Sequence, residues 1–226
     1  MAIEIMIICD YGDNVIQEYH GVGDLVLCDC SSLDSLPEDL NKIDGHLVLC
    51  RCYSLVSLPE GLEVKGDLDL KDCFALTALA KNLTVNGSLD LRYCNSLESI
   101  SSGLRLQGSL DLRRCTSLKS LPDGLEVGYL DGCSTHGPAS PFSTHGYLDL
   151  SGCISLVSLP DNLKVAKSLD LSGCMNLTSL PHGLCVGGDL ILPKSITALP
   201  DSLEVLGSII APHLNIVEKK QYLVMT

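Results

Sequence analysis

Five aspartates that recur at one position of a repeating pattern, Asp69, Asp90, Asp111, Asp149 and Asp170, are the residues of this chain best placed to do chemistry. Each stands between two leucines in Leu-Asp-Leu, with Asp131 approximately aligned. In an extended segment successive side chains point to opposite sides, so buried leucines leave the carboxylates on the outer face. Carboxylates about 5 Å apart on neighbouring strands repel by roughly 0.8 kcal/mol even in water. Two positions further on stand Lys71, Arg92 and Arg113, with Arg51 and Arg114 near them. A line of cations beside a line of anions either neutralises it or reads a partner of alternating charge. Tyr53 and Tyr93, on neighbouring turns, supply aromatic anchors of the kind that dominate protein interfaces. The competing reading is a solvated, self-neutralising face.

Other constellations have the residue types for catalysis or metal binding but lack the geometry. Cys28, Cys30, Cys50 and Cys52 form two Cys-x-Cys pairs one repeat apart, a donor set that suits tetrahedral zinc. Cys30 and Cys52 fall in a buried repeat position, however, whereas Cys28 and Cys50 lie on the other side of the strand. His182 and Cys185 bracket Gly-Leu, and Cys185 takes a position held by Glu63 or Lys164 in other copies, which predicts an exposed thiol. A Cys–His nucleophile also needs an orienting group and a pocket. The two Ser-Thr-His-Gly runs, at 134–137 and 143–146, read as copied sequence. The expectation is a protein without catalytic residues, bound metal or cofactor.

The elements that must position the aspartates are repeats. Copies begin at Gly23, Gly45, Gly66, Gly87, Gly108, Gly146, Lys167, Gly188 and Gly207, mostly 21 residues apart, on the pattern G-x-L-x-L-x-x-C-x-x-L-x-x-L-P-x-x-L-x-V. A fixed period of this size signals a solenoid. The x-Leu-x-Leu run alternates with period two and predicts a short strand, and Gly-Leu-x-Val predicts a second. Seven positions per copy are apolar, as in Leu47, Leu49, Cys52, Leu55, Leu58, Leu62 and Val64. One copy cannot offset the entropy of ordering itself, so only a stacked array folds. Leu-Pro opposes an α-helix on the far side, because proline pushes its predecessor towards extended backbone. The fold class expected is therefore a repeat solenoid of parallel strands, with short extended or 3₁₀ segments on the convex side and little α-helix.

Along the chain, residues 1–22 read as an N-terminal cap containing one strand with Ile3, Ile5 and Ile7 on its buried face, ending in turn-like Tyr11-Gly-Asp-Asn14. The solenoid spans 23–211 and is irregular at 128–145, which reads either as a shortened coil or as a looped-out insertion that splits the array. Ser134–His145 lacks leucine and holds Pro138 and Pro141, which predicts the least ordered interior stretch. Residues 212–226 read as a C-terminal cap or tail.

The chain carries a formal charge of −13, which argues against nucleic acid and anionic membranes and favours basic or mixed-charge protein partners. No stretch approaches the ~18–20 apolar residues of a membrane span, and the start lacks the basic region of a signal peptide. Eight of the 12 cysteines, Cys30, Cys52, Cys73, Cys94, Cys115, Cys133, Cys153 and Cys174, share one repeat position. Stacked coils put their Cα atoms about 4.8 Å apart with parallel side chains, an arrangement that strains a disulfide. The expectation is reduced thiols and a reducing, cytoplasmic compartment.

The run Leu-x-Leu-x-x-Cys-x-x-Leu resembles the conserved segment of leucine-rich repeats. Leu-Asp-Leu-Ser-Gly-Cys at 148–153 and 169–174 is similar to repeats of plant immune receptors, while the short period and Leu-Pro-x-x-Leu-x-Val at 58–64 more closely resemble bacterial leucine-rich repeat proteins. Among these are effectors delivered into eukaryotic host cells by specialised secretion without a cleaved signal peptide. The resemblance covers residues 23–211. It implies a monomeric, non-enzymatic protein-binding module that uses its strand face. Some bacterial relatives add a C-terminal ubiquitin-ligase domain, and nothing after Leu206 is long enough for one. The rival readings are a substrate-recognition segment for ubiquitin transfer supplied by another chain, and an acidic mimic of nucleic acid.

Overall fold

A computed structural model describes residues 5–11, 13–19, 22–128 and 146–214, with side chains from residue 22 onward. From Leu25 the chain is a parallel β-solenoid in which each coil but the last described one contributes two strands of two residues. One nine-stranded sheet runs in sequence order from Leu25–Val26 through Leu68–Asp69, Leu89–Asp90 and Leu110–Asp111 to Ile209–Ile210. A second, eight-stranded sheet runs from Lys42–Ile43 to Glu204–Val205. On a third side, at the position that precedes Leu-Pro in the regular copies, isolated parallel bridges join Ser35 to Ser57, and Ser99 to Ala78 and Ser120. Among the described residues there is no helix of any kind, so the far side is extended and turn structure without the 3₁₀ segments expected as an option.

All seven apolar positions of the pattern are buried in the coil Leu47 to Val64, and across the copies the exceptions include Leu104 and, in the last coils, Leu199, Leu203, Val205 and Ile209, which are partly buried. The core is thus a stack of identical layers. After the strand, the chain must reverse within three residues to turn the cysteine inward, and it does so through a left-handed residue: Asp72 (φ 61°), Tyr93 (63°), Arg114 (59°), Gly152 (77°) and Gly173 (78°). Glycine adopts this region freely, whereas Tyr93 and Arg114 do so at about 1–2 kcal/mol each. The Leu-Asp-Leu-Ser-Gly-Cys copies are the version without that cost.

Two points of the chain's course are refined. The first 22 residues hold two strands rather than one, Ile5–Tyr11 and Asp13–Tyr19, paired antiparallel with Tyr11 opposite Asp13. At 128–145 the rungs on either side meet, which agrees with an insertion outside the ladder but not with a split of the array. Leu110 and Asp111 pair directly with Leu148 and Asp149, and Glu126 and Val127 with Lys164 and Val165. Among the described residues these rungs are direct neighbours, and the array is not split. Asp131 and Ser134–His145 lie outside the described residues, as do 215–226.

The cysteines divide into two classes. Cys52, Cys73, Cys94, Cys115, Cys153 and Cys174 are buried thiols, as expected. Each donates its S–H to a carbonyl of the preceding coil, from Cys52 to Leu27 (3.1 Å) through Cys115 to Leu91 (3.1 Å) and Cys174 to Leu150 (3.1 Å). Burial pushes the thiols up, Cys52 to about 11 and Cys94 to about 12, so they stay protonated and inert. The expectation of reduced thiols fails at the N-terminal end. Cys28 and Cys50 form a disulfide with Cα atoms 4.7 Å apart, and Cys30 is disulfide-bonded as well. At the strand's exit these two side chains lie outside the buried column, and their sulfurs meet across one rung. This pair supplies no thiolates for zinc, and it removes the cysteine argument for a reducing compartment. Titration of the native protein with a thiol reagent is expected to reach half-buried Cys185 while the six column thiols stay silent. Rapid labelling of the column would contradict its burial.

Candidate functional site

The aspartates fall on one line, as their spacing requires. Asp69 pairs with Asp90, Asp90 with Asp111, Asp111 with Asp149, and Asp149 with Asp170 on adjacent strands. Every one of them also has a local task. Oδ1 accepts the backbone N–H two residues on: Lys71 (2.9 Å), Arg92 (3.0 Å), Arg113 (3.2 Å), Ser151 (2.9 Å) and Ser172 (2.7 Å). The carboxylate thereby closes the turn that leads into the left-handed residue, an Asx-type cap. Recurrence of Asp is explained by this cap alone, before any partner is considered.

The cations behave unequally. Arg92 donates from Nε to both oxygens of Asp90 (2.9 Å each) and from Nη2 to Oδ2 (2.5 Å), with Nε also 3.6 Å from Asp111. Arg113 repeats this on Asp111 (Nη2 to Oδ2 2.6 Å) and reaches Asp149 at 3.4 Å. The centre of the face is therefore a zigzag, Asp90–Arg92–Asp111–Arg113–Asp149, built from bidentate forks that arginine makes and lysine does not. These forks hold both guanidinium groups above their ordinary range. Lys71 is the exception to the expected line of cations, since its Nζ lies 3.9 Å from Asp72. Asp69 and Asp170 thus have no cationic side chain in salt-bridge contact among the described residues.

Desolvation raises the pKa of Asp69, with the neighbouring Asp90 charge adding to it and the Lys71 N–H opposing. Asp149 is raised first by the same cause. A carboxylate that binds its proton more tightly folded than unfolded lowers stability as pH rises from about 4 through the folded value. Above that value the penalty stays. Asp69→Asn keeps the accepting oxygen and removes the penalty, so its melting temperature at pH 7 is expected to match or exceed that of the natural chain, the difference closing below about pH 4. A clear loss at pH 7 would show that the charge itself holds the turn.

Tyr53 and Tyr93 are partly exposed but sit on the turn beside the strand face, not on it. Tyr53 stacks on Phe74, with centroids 5.3 Å apart and planes at 14°. Arg114 lies over the Tyr93 ring at 5.9 Å. Phe74 occupies the same repeat position as Tyr53, a signal that was available in the sequence. A second missed column lies at the start of the strand. Asp24, His46, Asp67, Ser88, Ser109, Ser168 and Asp189 each accept a backbone N–H from the next rung, as His46 Nδ1 does from Asp67 (2.9 Å) and Ser109 Oγ from Gly146 (2.9 Å). Its signal was polarity at one repeat position, with residue type varying freely.

Between these two polar columns runs a shallow groove of about 470 Å³, with Asp69, Asp90, Asp111 and Tyr147 among its lining residues. Elsewhere, His182 Nδ1 meets Ser202 Oγ on the neighbouring coil at 2.8 Å. No group of three His, Cys, Asp or Glu side chains among the described residues is arranged to hold a metal ion. Nor is any helix there long and apolar enough to cross a membrane. No known family model matches the chain, and no curated protein does either.

Proposed function

We propose that the chain is a non-enzymatic binding module whose strand face takes an extended segment of a protein partner bearing lysine or arginine. The observation that carries this reading is the charge balance along the aspartate line of the strand face. Five carboxylates meet only two arginines, and Asp69 and Asp170 flank the neutralised centre without cations of their own. They stand four rungs apart, about 19 Å at the spacing of parallel strands. An extended peptide of roughly six residues spans that distance. The resemblance of Leu-Asp-Leu-Ser-Gly-Cys to leucine-rich repeats, which bind through this face, supports the same choice, and so does the similarity to bacterial effector proteins.

Exposed pairs each contribute about 0–1 kcal/mol, so affinity arises from several contacts and falls with added salt. The test is binding of extended peptides with lysines at varied spacing, read by fluorescence anisotropy at low and high salt. Asp69→Asn with Asp170→Asn is expected to weaken binding several-fold while leaving the melting temperature intact, because both turn caps survive. Glu60→Gln with Glu63→Gln, away from this face, should do little. Equal loss from both pairs would move the binding surface elsewhere. The Asp90→Ala, Arg92→Ala double variant is also expected to reduce binding, though it removes a turn cap and must be shown to be folded.

A further inference from the structure

Half of the large apolar side chains left exposed among the described residues stand on one ridge, the turn between the strand face and the third side. They occupy two repeat positions, the one after the column cysteine and the one after the leucine that follows it. Counted in coils from Leu25, Tyr53, Val56 and Phe74 lie in the second and third, and Ile154, Val157 and Met175 in the sixth and seventh, with Met175 73% exposed. The two coils between them are polar at the same positions, Asn95 and Glu98 and then Thr116 and Lys119. Successive coils touch along the ridge: Tyr53 stacks on Phe74, Thr116 Oγ1 lies 3.5 Å from Asn95 Oδ1, Lys119 Nζ reaches Glu98 at 2.7 Å, and Val157 N–H donates to Lys119 O at 3.2 Å. Single exposed apolar residues are ordinary, but two clusters on one line mark an interaction surface.

We propose that the ridge binds a second copy of this chain, the two copies packing antiparallel about a two-fold axis that crosses the ridge between the fourth and fifth coils. From either end the position after the cysteine runs apolar, apolar, polar, polar, apolar, apolar, and at the centre the neighbouring position holds an acid and then a base. An axis lying in the plane of contact reverses the order of coils and keeps each repeat position against its own equivalent. It sets Tyr53 against Met175 of the second copy, Phe74 against Ile154, Thr77 against Val157 and Glu98 against Lys119. Each pairing occurs twice, as an isologous contact requires. Glu98 then has one lysine beside it in its own chain and another across the contact, and no like charges face each other there. A parallel two-fold would instead put the acidic coil against the acidic coil and the basic against the basic, so charge complementarity selects the antiparallel arrangement. Six coils at the spacing of stacked strands make a strip about 24 Å long. That is the small end for a specific interface, so the dimer is expected to dissociate on dilution. The strand face with Asp69 and Asp170 lies outside the contact, and the dimer does not depend on peptide binding there.

The experiment is analytical ultracentrifugation of the full chain over a wide range of concentration at about 0.15 M salt, where repulsion between two chains of charge −13 is screened. A reversible equilibrium between monomer and dimer is expected. Phe74→Ser with Ile154→Ser should abolish the dimer in a chain that melts as a folded protein, and Tyr147→Ser, on the strand face, should leave it intact. Glu98→Lys alone and Lys119→Glu alone should each weaken association by about tenfold or more, because each sets like charges face to face. An equimolar mixture of those two chains should recover association as an unlike pair. Orientation is read by oxidising Thr77→Cys and Val157→Cys chains, both also carrying Cys185→Ser: the mixture should join unlike chains, and Thr77→Cys chains by themselves should stay separate. A natural chain that sediments as a monomer at every concentration, a Phe74→Ser, Ile154→Ser chain that still dimerises, an equal loss from Tyr147→Ser, charge-reversed chains that do not recover on mixing, or Thr77→Cys chains that join each other would each overturn the proposal.

Discussion

Gly108→Ala should destabilise the array by roughly 3 kcal/mol or more, near the top of what a single added methyl does. A Cβ at this position would lie 2.4 Å from Gly87 O, 2.5 Å from its carbonyl carbon and 2.6 Å from Ser88 N. All three atoms are backbone, so no side chain can turn aside. The Gly108 N–H donates to Gly87 O at 2.9 Å, and separating the rungs to admit the methyl stretches that link. Lys167 occupies the same repeat position without such a clash, but the rung beneath it is Gly146, whose φ is +108° where the chain rejoins the array. Gly124 is the matched control. It has nothing within 4 Å, and its need for glycine is conformational, with φ +71°. Gly124→Ala should cost only about 1–2 kcal/mol. Because each rung contacts only its neighbours, the Gly108 variant should also unfold as two partly independent blocks, with a shallower denaturant slope. A loss below that of Gly124→Ala would show that the rungs can separate freely.

Arg113→Ala should cost about 2–4 kcal/mol, several times the effect of an ordinary surface ion pair. The Asp111 side chain is only 8% exposed and is the most enclosed carboxylate of the face, with Asp90 and Asp149 on either side. Removing Arg113 leaves it desolvated between two like charges with only Arg92, 3.6 Å away, to offset them. Asp111→Ala with Arg113→Ala should recover part of the loss, so a double-mutant cycle in chemical denaturation should give a coupling of about 1–3 kcal/mol. Additivity would place the pair among the exposed ones and make the zigzag a crystal of coincidences rather than a structural device.

What the sequence disclosed and what it withheld divide along physical lines. Backbone repetition was legible because the same seven apolar residues return every 21 positions, and parallel stacking is the arrangement that keeps them in register; Leu47 to Val64 are buried as that demands. The aspartate line followed from the same periodicity. Side-chain torsions did not follow, since they depend on neighbours that repeat imperfectly. Lys71 turns to Asp72 because that position, Tyr93 and Arg114 in the next coils, offers it a carboxylate that Arg92 and Arg113 lack. The Cys28–Cys50 bond depended likewise on rotation about single bonds at the strand's exit, where a fixed parallel orientation was the wrong assumption. The join from Asp111 to Asp149 was partly legible, since the copies at Gly108 and Gly146 follow one another in the pattern; pairing is decided by which leucines can stack, and the count of residues between them does not enter.

That join separates distance along the chain from distance in space. One step of the ladder covers 22 residues from Val26 to Val48, 21 from Asp69 to Asp90 and 38 from Asp111 to Asp149. The face is a ruler graduated in rungs, and its graduations survive a change in the length of polypeptide that leaves and returns between Gly128 and Gly146. Descent can therefore lengthen or shorten the molecule there without re-ruling it, so that any ligand measured against Asp69 and Asp170 meets the same interval in both versions.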